Sequence, residues 1–286
     1  MIKLIASDVD GTLLNGESGI DDYTLSKIKE AMKQGIHFVI ASGRAYGDLT
    51  WLLKQYDLKC SCITGNGAEY YDEKGEKISS FYLDYQACLE SIAILKQLHI
   101  AFMIYCVEGN YSIEPVEKVQ DVFIQRSVLK RNEAYQEAKK RIQKNHSIFK
   151  MSEIKDYPTF LKDKHIIKIE AFDLQEDTIT KAKNSLKSLP QIAYLSSFPD
   201  NVEITSSLAT KGSILMDVIL KLDIKQEEVM VIGDSYNDVS MFDLFSCSVA
   251  MGNSVDFIKE KAKYITDDHF HNGVGKAIEK IALQNT

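Results

Sequence analysis

The chain has 286 residues, 45% of them hydrophobic and 26% charged, with a formal net charge of −7. This is ordinary globular composition, with length for one large core or two smaller ones. The acidic balance argues against general binding to nucleic acid or anionic membranes and fits clusters of acids that hold a cation.

Five cysteines, Cys60, Cys62, Cys88, Cys106 and Cys247, are scattered and odd in number. The closest two stand in a C-S-C spacing that is neither a zinc knuckle nor a redox pair, so they read as buried free thiols of a reducing compartment. The apolar stretch at the N-terminus is too short for a signal peptide, and no window approaches the length of a membrane span. Together these features predict a cytoplasmic protein.

Along the chain, Lys3 to Ala6 is an apolar run with the pattern of a strand buried on both faces. Leu25, Ile28 and Met32 then recur at helical spacing, with Asp21 or Asp22 to cap the helix and Gly35 to stop it. HFVIAS, from His37 to Ser42, is a second buried strand, and Leu49, Leu52, Leu53 and Tyr56 mark the next helix. This alternation predicts a parallel α/β sheet.

AEYYD and KISSFYL, flanking the turn EKG, read as a hairpin. A helix from Tyr85 to Leu98, a strand in IAFMIYCV and a charged stretch from Pro115 to Asn145 follow. Next come a strand in HIIKIEAFD, a helix in DTITKAKNSLKSL, and a second hairpin of IAYLSSF and VEIT around PDN. This middle region reads as α+β with antiparallel pairing. The basic segment KRNEAYQEAKKRIQK is interrupted by acids and reads as a solvated helix face.

Regular order returns after Thr210. GSILMDVILKL is a helix, EEVMVIGD a buried strand, DVSMFDLF a helix, CSVAMG a strand and DFIKEKAKYI a helix. The predicted architecture is α/β: a Rossmann-like parallel-sheet core formed by residues 1–84 and 206–286, with an α+β domain inserted over 85–205.

Polar residues gather just beyond the carboxyl ends of the predicted core strands, where a parallel sheet places its ligands. Asp8 and Asp10 follow the first strand; Ser42, Gly43 and Arg44 follow the second. GDSYND, with Asp234 and Asp238, follows VMVI, and Lys211 opens a helix that could project to the same edge. Taken singly, each has a plain structural reading: a metal loop, a turn, a helix cap, a surface lysine. A calcium loop is excluded, because Gly11 is fourth where the sixth residue should be glycine, and Gly19 stands where the twelfth should be glutamate.

The joint set suits phosphoryl transfer through an aspartyl-phosphate. Two like charges so close are costly unless a divalent cation and a lysine offset them. Asp8, at the strand end, is the candidate nucleophile. Asp10, roughly 6.5–7 Å further along an extended chain and on the same side, would donate a proton to the leaving alcohol and then accept one from water. The like charge of Asp8 is expected to favour the protonated form of Asp10. Gly11 lets the chain turn without a Cβ clash.

The ordered segments DVDGTLL, ASGR, ATKGSIL and GDSYND resemble the four motifs of the haloacid dehalogenase superfamily. ITGNGA, VAMGN and HNGVGKAI are similar to the Cof-type phosphatases, which carry a large α/β cap between the second and third motifs. The resemblance implies Asp8 as nucleophile and magnesium ligand, and Asp10 as acid/base that also binds magnesium through its backbone carbonyl. It implies Lys211 and Ser42 on the transferring phosphoryl group, Asp234 as the third metal ligand, and Asp238 supporting the ion directly or through water. Gly11, Gly43, Arg44, Asn66 and Asn237 complete the candidate phosphate- and substrate-binding set. Ser235 and Gly65 depart from the family pattern, standing where many relatives have asparagine and a residue such as serine. His269 and His271 invite a transition-metal reading, but their loop lacks further ligands at suitable spacing.

The function expected is a Mg2+-dependent phosphatase acting on a small phosphorylated metabolite, with sugar phosphates as the leading class and specificity carried by the inserted domain. The alternatives are a phosphomutase of the same superfamily and a non-catalytic sugar-phosphate-binding protein.

Overall fold

The apolar run near the N-terminus forms β1 (Leu4–Ser7), buried at every position. The computed structural model describes residues 1–16, 19–145, 147–196 and 198–284. Its chain divides into two compact units, Met1–Phe81 with Leu208–Thr286, and Tyr82–Ser207.

In the first unit, β1 is followed by α1 (Asp22–Lys33), β2 (His37–Ala41), α2 (Tyr46–Tyr56), β3 (Ser61–Thr64), β4 (Glu69–Tyr71) and β5 (Lys77–Ser80). The inserted unit then contributes α3 (Tyr85–Gln97), β6 (Ala101–Cys106), β7 (Gly109–Ser112), α4 (Val116–Arg131), α5 (Tyr135–Asn145) and β8 (Met151–Glu153). It continues with α6 (Tyr157–Leu161), β9 (Ile166–Phe172), α7 (Glu176–Leu186), β10 (Ile192–Leu195) and β11 (Asn201–Ser206). The first unit resumes with α8 (Lys211–Lys221), β12 (Val229–Gly233), α9 (Val239–Leu244), β13 (Cys247–Ala250), α10 (Asp256–Lys261), β14 (Tyr264–Ile265) and α11 (Gly273–Ala277).

The first unit holds an eight-stranded sheet in the order β14-β13-β12-β1-β2-β3-β4-β5. Pairing is parallel from β14 to β3 and antiparallel through β4 and β5, so the EKG turn closes the predicted hairpin. Successive side chains leave a strand on opposite faces. Ile5, Ile40 and Ile232 therefore meet Ile28, Leu49, Leu52 and Val274 on one face. Leu4, Val39 and Val231 meet Ile214, Leu215, Met241 and Ile258 on the other. Each fully buried aliphatic side chain of this kind contributes roughly 1.5–3 kcal/mol. Asp21 caps α1 by accepting from the Thr24 N–H at 2.8 Å, and Gly35 follows the helix at φ +84°.

One predicted helix is shorter than the sequence suggested. The DFIKEKAKYI helix stops at Lys261, Ala262 turns extended, and Tyr264–Ile265 pairs with Val249 and Ala250 as an edge strand. An aromatic and a β-branched residue fit that pleated edge better than a helix end.

The inserted unit forms a six-stranded sheet in the order β10-β11-β9-β6-β7-β8. β10 and β11 pair antiparallel as expected; within the IAYLSSF segment, Ser197 lies outside the described residues. The charged stretch after Pro115 folds as α4 and α5, parted by Asn132 at φ +50°. Val119, Ile124, Ala138 and Ile142 pack from these helices onto Met103 and Phe172. The buried Arg126 grips Asp200 through Nε and Nη2 at 2.7 and 2.8 Å. All five cysteines are buried and free. Among the described residues, no helix is long and apolar enough to cross a membrane.

Candidate active site

Asp8 follows β1 directly, is 4% exposed, and donates its N–H to the Ile232 carbonyl at 3.0 Å. Lys211 reaches it from the first position of α8, a helix capped reciprocally by Thr210 and Ser213. A Cβ on Gly212 would fall 2.1 Å from the Ser240 carbonyl oxygen, so the start of α8 lies hard against α9. Lys211 is 0% exposed, which excludes a plain surface lysine. Its Nζ donates to Asp8 Oδ1 at 2.6 Å and to Asp238 Oδ1 at 2.7 Å.

The second oxygen of Asp238 accepts the N–H groups of Asp234 and Ser235, at 2.9 and 3.1 Å. Asp238 thus closes the turn of its own motif, with both oxygens engaged. Asp234 accepts from the Thr12 hydroxyl through Oδ1 at 2.9 Å. Asp8 Oδ2 and Asp234 Oδ2 have no protein donor among the described residues. Carboxylate oxygens of Asp8, Asp234 and Asp238 all lie within 4.8 Å of one another. An all-oxygen donor set of this kind suits a hard divalent cation such as magnesium.

The charges explain the titration. Burial pushes the Asp8 carboxyl up to about 7 against the pull of Lys211, and Asp238 adds repulsion. Burial, then Asp8 and Asp238, push Asp234 up to about 8. Burial works against the charge of Lys211, but Asp238 and Asp8 outweigh it and hold the ammonium above its ordinary value. Three acids face one lysine, and a divalent cation would restore the balance.

Asp10 sits differently from expectation. Its carboxylate is largely exposed and accepts a forked pair from Arg44, with Nε at 2.8 Å and Nη2 at 2.5 Å. The partner of Asp10 is therefore a cation, where the sequence reading had the like charge of Asp8 acting on it. The reason is tertiary: β1 and β2 are neighbours, so the loops leaving their ends meet. Gly11 holds φ +80°, and a Cβ there would fall 2.6 Å from Asp234 Oδ2. Only glycine leaves that space open.

Ser42 is buried at the end of β2, and its hydroxyl accepts the Arg44 N–H at 3.1 Å. Asn66 is fully buried at φ +60°, with its N–H on the Ser42 carbonyl and its Oδ1 accepting from Asn237 Nδ2 at 3.3 Å. A Cβ on Gly43 would fall 2.9 Å from Asn66 Oδ1. Asn237 Oδ1 is buried with no partner among the described residues. Gly65 adopts φ +58°, which accounts for glycine at that family departure. Ser235, the other departure, lends its N–H to Asp238.

The candidate residues thus meet at one sheet edge within the first unit. The two histidines do not join them: His271 Nδ1 pairs with Asp268, and the described acid cluster contains neither imidazole. Thr12 was missed as a site residue, although its place beside the acidic pair in DVDGTLL was the available signal.

A family model for haloacid dehalogenase-like hydrolases matches residues 5–278. The chain is 31% identical to the 5-amino-6-(5-phospho-D-ribitylamino)uracil phosphatase YwtE of Bacillus subtilis, covering 98% of both chains. It is 30% identical to YcsE of the same organism, which bears the same enzyme name, covering 99% of this chain and 96% of that one. A solved haloacid dehalogenase-like hydrolase from B. subtilis superposes with a TM-score of 0.86 at 25% identity, covering 98% of this chain and 100% of that one. With fold and sequence matched over almost its whole length, the chain belongs to the haloacid dehalogenase-like hydrolases and is a phosphoric monoester hydrolase.

Proposed function

We propose that the chain is a magnesium-dependent phosphatase that hydrolyses a small phosphorylated metabolite, a sugar phosphate or a close polyol relative, through an aspartyl-phosphate. The observation that carries this reading is the division of labour at Asp8: one oxygen is held by buried Lys211, and the other is left without a protein donor among the described residues. The phosphorylated ribityl chain named for the B. subtilis relatives supports the substrate class.

Asp8 and Asp234, with the backbone carbonyl of Asp10, would hold the ion. When bound, it supplies positive charge that offsets the phosphoryl group and the carboxylates. Asp8 Oδ2 attacks phosphorus, and the ester oxygen leaves with the bonding pair while Asp10, released from Arg44 and protonated, gives it a proton. Water then attacks the aspartyl-phosphate as Asp10 takes its proton, releasing orthophosphate and restoring Asp8. Lys211 remains charged throughout and fixes the attacking carboxylate, while Ser42 has a hydroxyl hydrogen to offer the phosphoryl oxygens.

Selection of substrate belongs to the inserted region 85–205. Its sheet carries Lys168, donating to Glu203 at 2.5 Å, and Tyr105, donating to Glu170 at 2.8 Å. A magnesium-dependent screen over phosphorylated sugars and polyols, scored by orthophosphate release, tests the reading. Turnover of at least one such ester is expected; its absence from the whole set, with other phosphate esters hydrolysed, would refute the substrate class.

A further inference from the structure

The VAMGN segment, which ends β13 and leads out of it, has no role in the chemistry above, yet it touches that chemistry from two sides. Met251 donates its N–H to the Gly233 carbonyl at 3.1 Å, the Ser254 hydroxyl donates to the same oxygen at 3.2 Å, and the Val255 N–H donates to the Asp234 carbonyl at 3.1 Å. Between them stands Asn253. Its Nδ2 donates to the Gly11 carbonyl at 2.8 Å, and its Oδ1 accepts the His269 N–H at 3.1 Å. The first partner can only accept and the second can only donate, so the amide has one orientation that satisfies both.

The Gly11 contact meets a specific need. Glycine is required there because a Cβ would collide with Asp234, but glycine also frees the peptide that follows it to rotate. That peptide leads to Thr12, whose hydroxyl holds Asp234, and the residue before it is Asp10. A fixed Gly11 carbonyl therefore keeps Asp10 and Asp234 in register with each other.

We infer that Asn253 is a positioning residue of the phosphatase reaction, holding the Gly11 turn so that Asp10 meets the leaving oxygen. The inference rests on the phosphatase reading above. Asn253 is exposed and touches none of the reacting groups, so its effect on stability should be small while its effect on geometry is not.

The test compares Asn253→Ala and Asn253→Asp with wild type, in saturating magnesium, on an alkyl phosphate and on an activated aryl phosphate. The readout is kcat/KM, which reports the steps up to phosphoryl transfer to Asp8. An alkyl leaving group needs the proton of Asp10, whereas an activated aryl group leaves without it. Both variants should lose about 10- to 100-fold on the alkyl ester and less than about threefold on the aryl ester, with little change in melting temperature. In Asn253→Asp the new carboxylate would still accept from His269 but could not donate to Gly11, so a wild-type alkyl rate in that variant would overturn the inference. Equal losses on the two esters would overturn it as well, because they would reveal general damage. An active wild type with unaffected variants sinks this inference alone; a wild type inactive on both esters sinks the phosphatase reading and the inference together.

Discussion

Lys211 Nζ lies 2.6 Å from Asp8 Oδ1, in a position with no solvent exposure of the lysine. A cation buried this deeply persists because it has two carboxylate partners, and the carboxylates persist because of it. Lys211→Met should therefore leave Asp8 and Asp238 buried without their cation. Denaturant unfolding is expected to show a loss of roughly 3–5 kcal/mol, with hydrolysis abolished. A stable, active Lys211→Met enzyme would contradict the arrangement.

Asp8→Asn should separate chemistry from stability. It removes the attacking charge and relieves repulsion among the acids, so turnover should fall by about three orders of magnitude or more. The metal-free variant should melt no lower than wild type at about pH 9, where the buried acids are largely ionised and repel one another. Purified Asp8→Asn with near-wild-type hydrolysis would end the nucleophile assignment.

The raised values of Asp8, about 7, and Asp234, about 8, carry a pH signature. An acid raised on folding stabilises most below its unfolded value, and that contribution disappears as pH rises through its folded value. These two groups should therefore make the metal-free protein progressively less stable between about pH 4 and pH 8. Magnesium favours the ionised acids, so its apparent affinity should rise about tenfold per pH unit for each proton released. Melting curves at about pH 6 and about pH 8.5, with and without magnesium, should show the larger gain at the higher pH. A gain independent of pH would disconnect the cation from these acids.

Gly11→Ala places a methyl carbon 2.6 Å from Asp234 Oδ2 at a backbone angle that disfavours side chains. A cost of about 1–3 kcal/mol is expected, together with weakened magnesium binding. Gly35→Ala is the control, since it is also at positive φ but would meet nothing within 4 Å. Calorimetric titration should show full magnesium affinity in the control and a marked loss in Gly11→Ala; equal affinities would separate Gly11 from the metal site.

The parallel core was legible because strands buried on both faces read as unbroken apolar runs, and carboxylates at their ends stand out against them. Asp8 and Asp234 were legible for the same reason, whereas Lys211, which opens α8, was legible only as a member of the joint set. The fork from Arg44 to Asp10 was not, because it depends on where two loops meet after the strands pair. Nor was Tyr264–Ile265, a strand of two residues whose partner gives it its form. The short polar strands β7 and β8 carry too few apolar positions to announce themselves, and β7 pairs with β6 on one side and β8 on the other.

The five buried thiols have a practical consequence. Burial pushes Cys88 and Cys106 up to about 12, and it raises Cys247; a hydrogen bond with Cys62, then burial, raises Cys60 well above the usual thiol range. Thiolate is the species that alkylating reagents consume, so the native protein should ignore them. Cys60, Cys62 and Cys247 lie in one unit, Cys88 and Cys106 in the other. Pulsed alkylation read by peptide mass would then time the opening of each unit separately, using labels already built into the chain.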